Sequence, residues 1–63
     1  MCLSTVYKNS VAPANIAMGN VMRIECREDM VILTDLMERT VAIHGTLVEA
    51  NLIDGIAIVR EAE

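Results

Sequence analysis

The chain has 63 residues, of which 54% are hydrophobic, and a formal net charge of −4. This length allows one domain, spanning residues 1–63, and chains of this size usually gain stability from disulfides, a metal or oligomerisation. The five basic residues are dispersed among nine acidic ones. This balance argues against nucleic-acid binding, which depends on Lys and Arg contacts to phosphates.

The apolar content predicts a homodimer. A 63-residue interior is too small to hold all of it, exposed apolar patches mark interaction sites, and two-fold pairs are the commonest oligomers. No unbroken apolar run exceeds four residues, as in 30–33, so no membrane span or secretory signal is expected. Two cysteines are too few for a disulfide framework. We therefore expect a cytoplasmic protein with reduced thiols.

The first third of the chain predicts a strand, a loop and a second strand. Residues 2–8 are rich in β-branched and aromatic types and predict the first strand. Residues 9–15 form a loop around Pro13, in which a short helical turn is an alternative. Residues 16–18 are either extended or cover an open end of the fold, and Gly19 is expected to interrupt the chain before the next strand.

Residues 21–27 show the clearest period-two alternation and predict a half-buried strand. Its inward face is predicted to hold Met22, Ile24 and Cys26, and its outward face Arg23, Glu25 and Arg27. After a tight turn at 28–29, residues 30–35 are apolar on both faces, which is typical of a strand at a barrel centre or an interface.

The remaining residues predict three more short strands. Residues 40–44 form one, with Val41 and Ile43 inward, and Gly45 is expected to bend the chain. Residues 46–53 form the next. A two-residue hairpin at 54–55 joins it to the last strand, 56–60.

These patterns predict an all-β fold, a small antiparallel meander barrel of five or six strands in the size range of SH3 and Sm modules. A short helix over residues 28–41 is the rival interpretation. The β-branched pair Val31-Ile32 and the period-two pattern that follows argue against it.

Cys2 is the candidate metal ligand. If Met1 is removed, Cys2 carries a thiol and an α-amine on adjacent carbons, with unperturbed pKa values of about 8.5 and about 8. These two groups close a five-membered chelate ring on one metal ion, and the bound cation favours the thiolate. If Met1 is retained, the thiolate is backed by the Met1–Cys2 amide and the Met1 amine. The alternative is that Cys2 is a small apolar filler in the first strand.

The other reactive side chains give weaker signals. Cys26 is interpreted as a buried apolar thiol, and a Cys2–Cys26 disulfide is disfavoured by the compartment. His44 is interpreted as a solvent-facing residue at a strand end, with metal ligation as the alternative. A catalytic Cys2–His44 dyad is rejected, since a chain this small is expected to lack a substrate cavity of ordinary size. No other catalytic signature is found, so we expect no enzyme.

Three segments carry a family resemblance. The opening Met-Cys-Leu-Ser-Thr-Val-Tyr of residues 1–7, the central residues 29–37 and the later His-Gly-Thr-Leu-Val of residues 44–48 resemble the CooT-type nickel-binding proteins. These are accessory proteins linked to nickel insertion into carbon monoxide dehydrogenase. The resemblance implies that Cys2 is the nickel ligand, whereas it assigns no role to Cys26 or His44.

The function implied by this resemblance is delivery or storage of Ni(II) for a nickel enzyme such as carbon monoxide dehydrogenase. One Ni(II) per dimer would be held by Cys2 of both chains. Partners would then be a second copy and the nickel enzyme or its maturation factors. Thiolate and nitrogen donors suit square-planar Ni(II) but also accept Cu(II) or Zn(II). The alternatives are an RNA-binding module on the same small barrel, a label that members of the family have carried, and a structural dimeric subunit.

Overall fold

A computed structural model describes residues 3–63, which form a closed barrel of five strands. The strands are β1 (Ser4–Lys8), β2 (Ile16–Cys26), β3 (Met30–Asp35), β4 (Thr40–Asn51) and β5 (Ile56–Glu61). A 3₁₀ turn, Pro13–Asn15, lies between β1 and β2 and matches the helical-turn alternative for this loop. The predicted all-β small barrel is confirmed.

The barrel is closed by a parallel pair. Consecutive strands pair in antiparallel fashion, but β1 pairs with β5 in parallel, from Thr5 opposite Ile56 to Lys8 opposite Val59. A meander with an odd number of strands must close this way, because its first and last strands run in the same direction. The predicted antiparallel meander is thus completed by one parallel pair, which we call the β1–β5 seam.

Two glycines that were expected to interrupt the chain lie inside strands. Gly19 lies within β2, and residues 16–18 are extended. Gly45 lies within β4, so the predicted strands 40–44 and 46–53 are one strand that ends at Asn51. The irregularity in β4 is a register shift between Leu47 and Glu49 opposite β5. An extra residue accommodates the curvature there, as β-bulges do in small barrels.

The core is lined by small and branched side chains from all five strands. Its buried apolar members are Val6, Val21, Val31, Leu33, Ile43, Ala57 and Val59. In β3 only the face that holds Val31, Leu33 and Asp35 is buried, while the other face is half-buried. The prediction that this strand is covered on both sides is therefore met on one face only.

The predicted inward face of β2 needs correction. Val21 opposite Asp35 faces the core, and a register shift before Arg23 leaves Met22 exposed. Ile24 is half-buried as expected. Cys26 pairs with Val31 but is exposed, because it is the last residue of β2 and no further strand residue covers it. The prediction of a buried Cys26 thiol is wrong.

The turn between β3 and β4 is built around the buried carboxylate of Asp35, which is 2% exposed. Its Oδ1 accepts hydrogen bonds from the amides of Met37 and Arg39, both at 2.9 Å, and its Oδ2 accepts one from Arg39 Nε at 2.8 Å. Burial raises the pKa of Asp35, but the hydrogen bonds and charge of Arg39 and the Met37 amide outweigh it and hold the pKa below its usual value.

Candidate functional site

The start of β1 is held on both sides. Ser4 pairs with Val21 in β2, and Thr5 pairs with Ile56 in β5. The Thr5 amide donates a hydrogen bond to the Gly55 carbonyl at 2.8 Å. The backbone that leads back from Ser4 toward Cys2 therefore emerges from a fixed point of the barrel wall.

Gly55 is needed for this arrangement. Its φ of +68° lies in the left-handed region, and a Cβ at this position would lie 3.1 Å from the Leu3 carbonyl oxygen. A side chain would therefore be strained and would press on the residue next to Cys2. The turn that contains Gly55 spans residues 52–55, between the end of β4 and the start of β5. The predicted two-residue hairpin is thus a four-residue turn.

The sequence-predicted site residues do not converge within the described part of the chain. Cys2 lies outside the described residues, and so does any Cys2–Cys26 disulfide. His44 is exposed, as expected, but it lies within β4 rather than at a strand end and pairs with Met30, whereas Cys26 pairs with Val31. Residues 3–63 contain no group of three or more His, Cys, Asp or Glu side chains that could hold a metal ion.

A groove of about 490 Å³ lies over the C-terminal end of β5, lined by Asn9, Gly45, Thr46 and residues 60–63. The groove is partly open to solvent, whereas ordinary ligand pockets enclose most of the ligand surface. Glu61 is paired with Lys8 at 3.4 Å. The charged residues that line the groove are Arg60, Glu61 and Glu63.

The match to a known family covers most of the chain. A family model described as "CO dehydrogenase accessory protein CooT" matches residues 1–60. The chain belongs to the CooT family. A CooT protein has an accessory role for carbon monoxide dehydrogenase, in keeping with the expectation of no enzyme. The comparison with curated proteins gave no match.

In this CooT protein the match includes Cys2 and extends through all but the last residue of β5. None of the described residues belongs to a helix long and apolar enough to cross a membrane. The family description names no metal and no site residue, so neither Cys2 ligation nor nickel is part of the identification.

Sequence reasoning missed the turn at residues 52–55 as a neighbour of the start of β1. It assigned Leu52 and Ile53 to a strand, whereas in this CooT protein both side chains are exposed in the turn. The available signal was Asn51, three residues before Asp54, since Asn side chains often bond the backbone of a following turn. The period-two pattern of 46–53 concealed that signal.

Proposed function

We propose that this CooT-family protein binds Ni(II) through Cys2 and delivers or stores it for a nickel enzyme such as carbon monoxide dehydrogenase. The observation that carries the proposal is the family match over residues 1–60, which includes Cys2. An accessory protein must contribute something to the enzyme it assists, and supplying the metal of a nickel enzyme is one such contribution. A soft thiolate beside backbone or amine nitrogen is a donor set that suits Ni(II).

The anchored start of β1 supports this assignment. Ser4 and Thr5 are fixed by β2 and β5. A metal bound by Cys2, two residues before Ser4, would therefore be close in sequence to an ordered part of the barrel. A single Cys2 supplies too few donors for a closed four-coordinate site. Residues 3–63 bring together no group of three or more ligands to complete it. We therefore propose one Ni(II) per dimer, with Cys2 from both chains, in a reducing cytoplasmic setting.

The test is a titration of metal-free protein with Ni(II), followed by absorption and by the bound metal per chain. We expect a thiolate-to-metal charge-transfer band that saturates at one metal per two chains. Cys2→Ser should abolish the band and tight binding, because a serine hydroxyl stays protonated near neutral pH. Nickel affinity should fall at lower pH, because protons compete for sulfur and nitrogen.

Cys26→Ser is the matched control. It should keep the charge-transfer band and the affinity for Ni(II). Because Cys26 is exposed, the substitution should change the free energy of unfolding by no more than about 0.5 kcal/mol. If Cys26→Ser loses nickel while Cys2→Ser keeps it, the assignment of the metal to Cys2 is overturned.

A further inference from the structure

The turn between β4 and β5 contains the one place in the chain where an aspartate directly precedes a glycine, at Asp54-Gly55. The turn spans residues 52–55, and Asp54 is exposed to solvent. An Asp-Gly pair is chemically reactive, because glycine has no side chain to keep its amide nitrogen away from the carboxyl group of the preceding residue. The other two aspartates, Asp29 and Asp35, precede Met30 and Leu36, so this feature is confined to the turn.

The Gly55 amide is available to react. Within residues 3–63 it donates no hydrogen bond to a backbone or side-chain acceptor, although the Gly55 carbonyl accepts one from the Thr5 amide at 2.8 Å. No contact of this amide therefore has to be broken before its nitrogen approaches the Asp54 carboxyl group.

We propose that Asp54 isomerises to isoaspartate in this turn, through a succinimide formed with Gly55. The Gly55 amide nitrogen attacks Cγ of the Asp54 carboxylic acid and closes a five-membered ring, while the amide proton and the carboxyl hydroxyl leave as water. Water then adds to one of the two ring carbonyls. Addition at Cγ restores Asp54, whereas addition at the former main-chain carbonyl gives isoaspartate. The water consumed equals the water released, and no oxidant or reductant is needed.

The side chain of Asn51 slows this reaction. Its Oδ1 accepts hydrogen bonds from the amides of Ile53 at 3.2 Å and Asp54 at 3.1 Å, and its Nδ2 donates one to Asp54 Oδ2 at 3.0 Å. These bonds hold the backbone and the carboxyl group of Asp54 in one arrangement. Ring closure requires both to rotate until Cγ reaches the Gly55 nitrogen, so Asn51 controls the rate.

Isomerisation would disturb the start of β1. Isoaspartate lengthens the main chain by one carbon atom directly before Gly55. Gly55 lies close against β1, since a Cβ on it would lie 3.1 Å from the Leu3 carbonyl oxygen and its own carbonyl accepts the Thr5 hydrogen bond. The next residue, Ile56, pairs with Thr5 in the β1–β5 seam. A longer turn shifts Gly55 relative to β1 and therefore weakens this seam.

The experiment is incubation of the full, metal-free chain in warm, weakly acidic buffer, which keeps part of the carboxyl groups in the acid form. Peptide mapping with electron-transfer fragmentation then distinguishes isoaspartate from aspartate, which has the same mass. Isoaspartate should accumulate at Asp54 about 10-fold or more faster than at Asp29, because Gly55 leaves its nitrogen unshielded. Asp29 is the matched control, since it is also exposed but precedes Met30.

Two variants test the roles of individual residues. Asp54→Glu should form no isomerised product at this position, because a glutamate would have to close a less favourable six-membered ring. Asn51→Ala should raise the rate at Asp54 about 3-fold or more, because it removes the side-chain hydrogen bonds that hold the turn. The same variant should leave the rate at Asp29 unchanged.

Amide hydrogen exchange measures the effect on the seam. The Thr5 amide should exchange about 10-fold faster in the isomerised protein than in fresh protein, because its acceptor on Gly55 has moved. The Leu36 amide, which donates to the Asn20 carbonyl at a different turn, is the control and should exchange at its original rate.

Equal accumulation of isoaspartate at Asp54 and Asp29 would overturn the modification site. A rate at Asp54 that does not rise in Asn51→Ala would overturn the role of Asn51. Unchanged exchange of the Thr5 amide would overturn the effect on the seam. All three measurements are made without nickel, so their results are independent of the proposed function.

Discussion

Asp35 ties the β3–β4 turn to the barrel, so its ionisation couples the fold to pH. The hydrogen bonds from Arg39 and Met37 favour the charged carboxylate and hold the pKa of Asp35 below its usual value. A group with a depressed folded-state pKa stabilises the protein above its unfolded-state pKa. That contribution is lost as the pH falls through the folded-state pKa.

We therefore expect the thermal midpoint, followed by circular dichroism, to decline as the pH is lowered from roughly 5 toward 2. Asp35→Asn should lower the midpoint at pH 7 and flatten this acid decline, because the amide cannot ionise. Asp29→Asn, at an exposed carboxylate, is the control and should keep the wild-type slope. An unchanged slope in Asp35→Asn would show that other carboxylates account for the acid sensitivity.

Single residues were also where prediction from sequence was least complete. The pattern of residues 30–35 placed Asp35 at a strand end, but its burial depends on Arg39 and on turn amides, which no periodicity encodes. Cys26 has the period of an inward residue, yet it is exposed because its position at the end of β2 matters more than its face. For Cys2, the donor chemistry follows from the residue type, whereas the second half of the proposed site belongs to another chain.

At the scale of elements, β4 depends on a close approach at Gly45. A Cβ there would overlap the Arg60 carbonyl oxygen and would lie 3.0 Å from both the Arg60 carbonyl carbon and Glu61 Cα. All three atoms belong to the backbone of β5. They can move away only if the β4–β5 pairing is distorted.

Gly45→Ala should therefore lower the free energy of unfolding by about 1–3 kcal/mol or more, measured by urea denaturation. Gly19→Ala is the matched control, because a Cβ at Gly19 meets nothing within 4 Å. It should be neutral or slightly stabilising, since alanine restricts the unfolded chain. Equal losses in both variants would contradict the packing argument.

The strands themselves were largely predictable, because alternation and β-branched residues reflect local burial. The ends of the strands and the register between them were less predictable. The sequence predicted that Gly19 and Gly45 would interrupt strands, although both lie within extended strands. The need for Gly45 comes from the proximity of β5, which is distant in sequence. The register shifts in β2 and β4 arise from barrel curvature, and a residue pattern does not specify where the extra residue falls.

For the whole molecule, charge argues against the RNA-binding alternative. Lys8, Arg23, Arg27 and Arg39 each lie within 3.6 Å of a carboxylate oxygen, and the net charge is −4. A surface on which four of the five basic side chains are paired with carboxylates gains little from releasing counterions of a phosphate backbone. The small barrel alone does not decide between nickel delivery and RNA binding, because one fold hosts many functions.

We expect binding to mixed-sequence RNA at physiological salt to be weaker than about 10 μM, measured by fluorescence anisotropy. The variant Glu25→Gln removes the carboxylate that pairs with both Arg23 and Arg27. It tests whether these two arginines, once unpaired, bind RNA. It should bind RNA no more than a few-fold better. A tight complex whose affinity drops steeply with salt would favour the RNA-binding alternative.

The all-β barrel class followed from the number and spacing of strands, and the family from the opening and central segments. The parallel pairing of β1 with β5 could not be predicted from these features, because β1 and β5 are the first and last strands of the described chain. Pairing at that distance is set by the number of strands in the barrel rather than by any local pattern. The homodimer and the nickel site stay predictions.

The parallel closure also has a consequence for the order of events during synthesis. Proteins are made from the N-terminal end and contacts between distant segments form last, so β1 can pair with β2 early but waits for residues 56–59 before its other edge is covered. Until then the segment that carries Cys2 leads into an open strand edge, which is prone to the wrong pairing. A nascent or truncated chain thus has one edge of β1 unpaired, and β1 becomes part of a closed barrel wall only after residues 56–59 have been made.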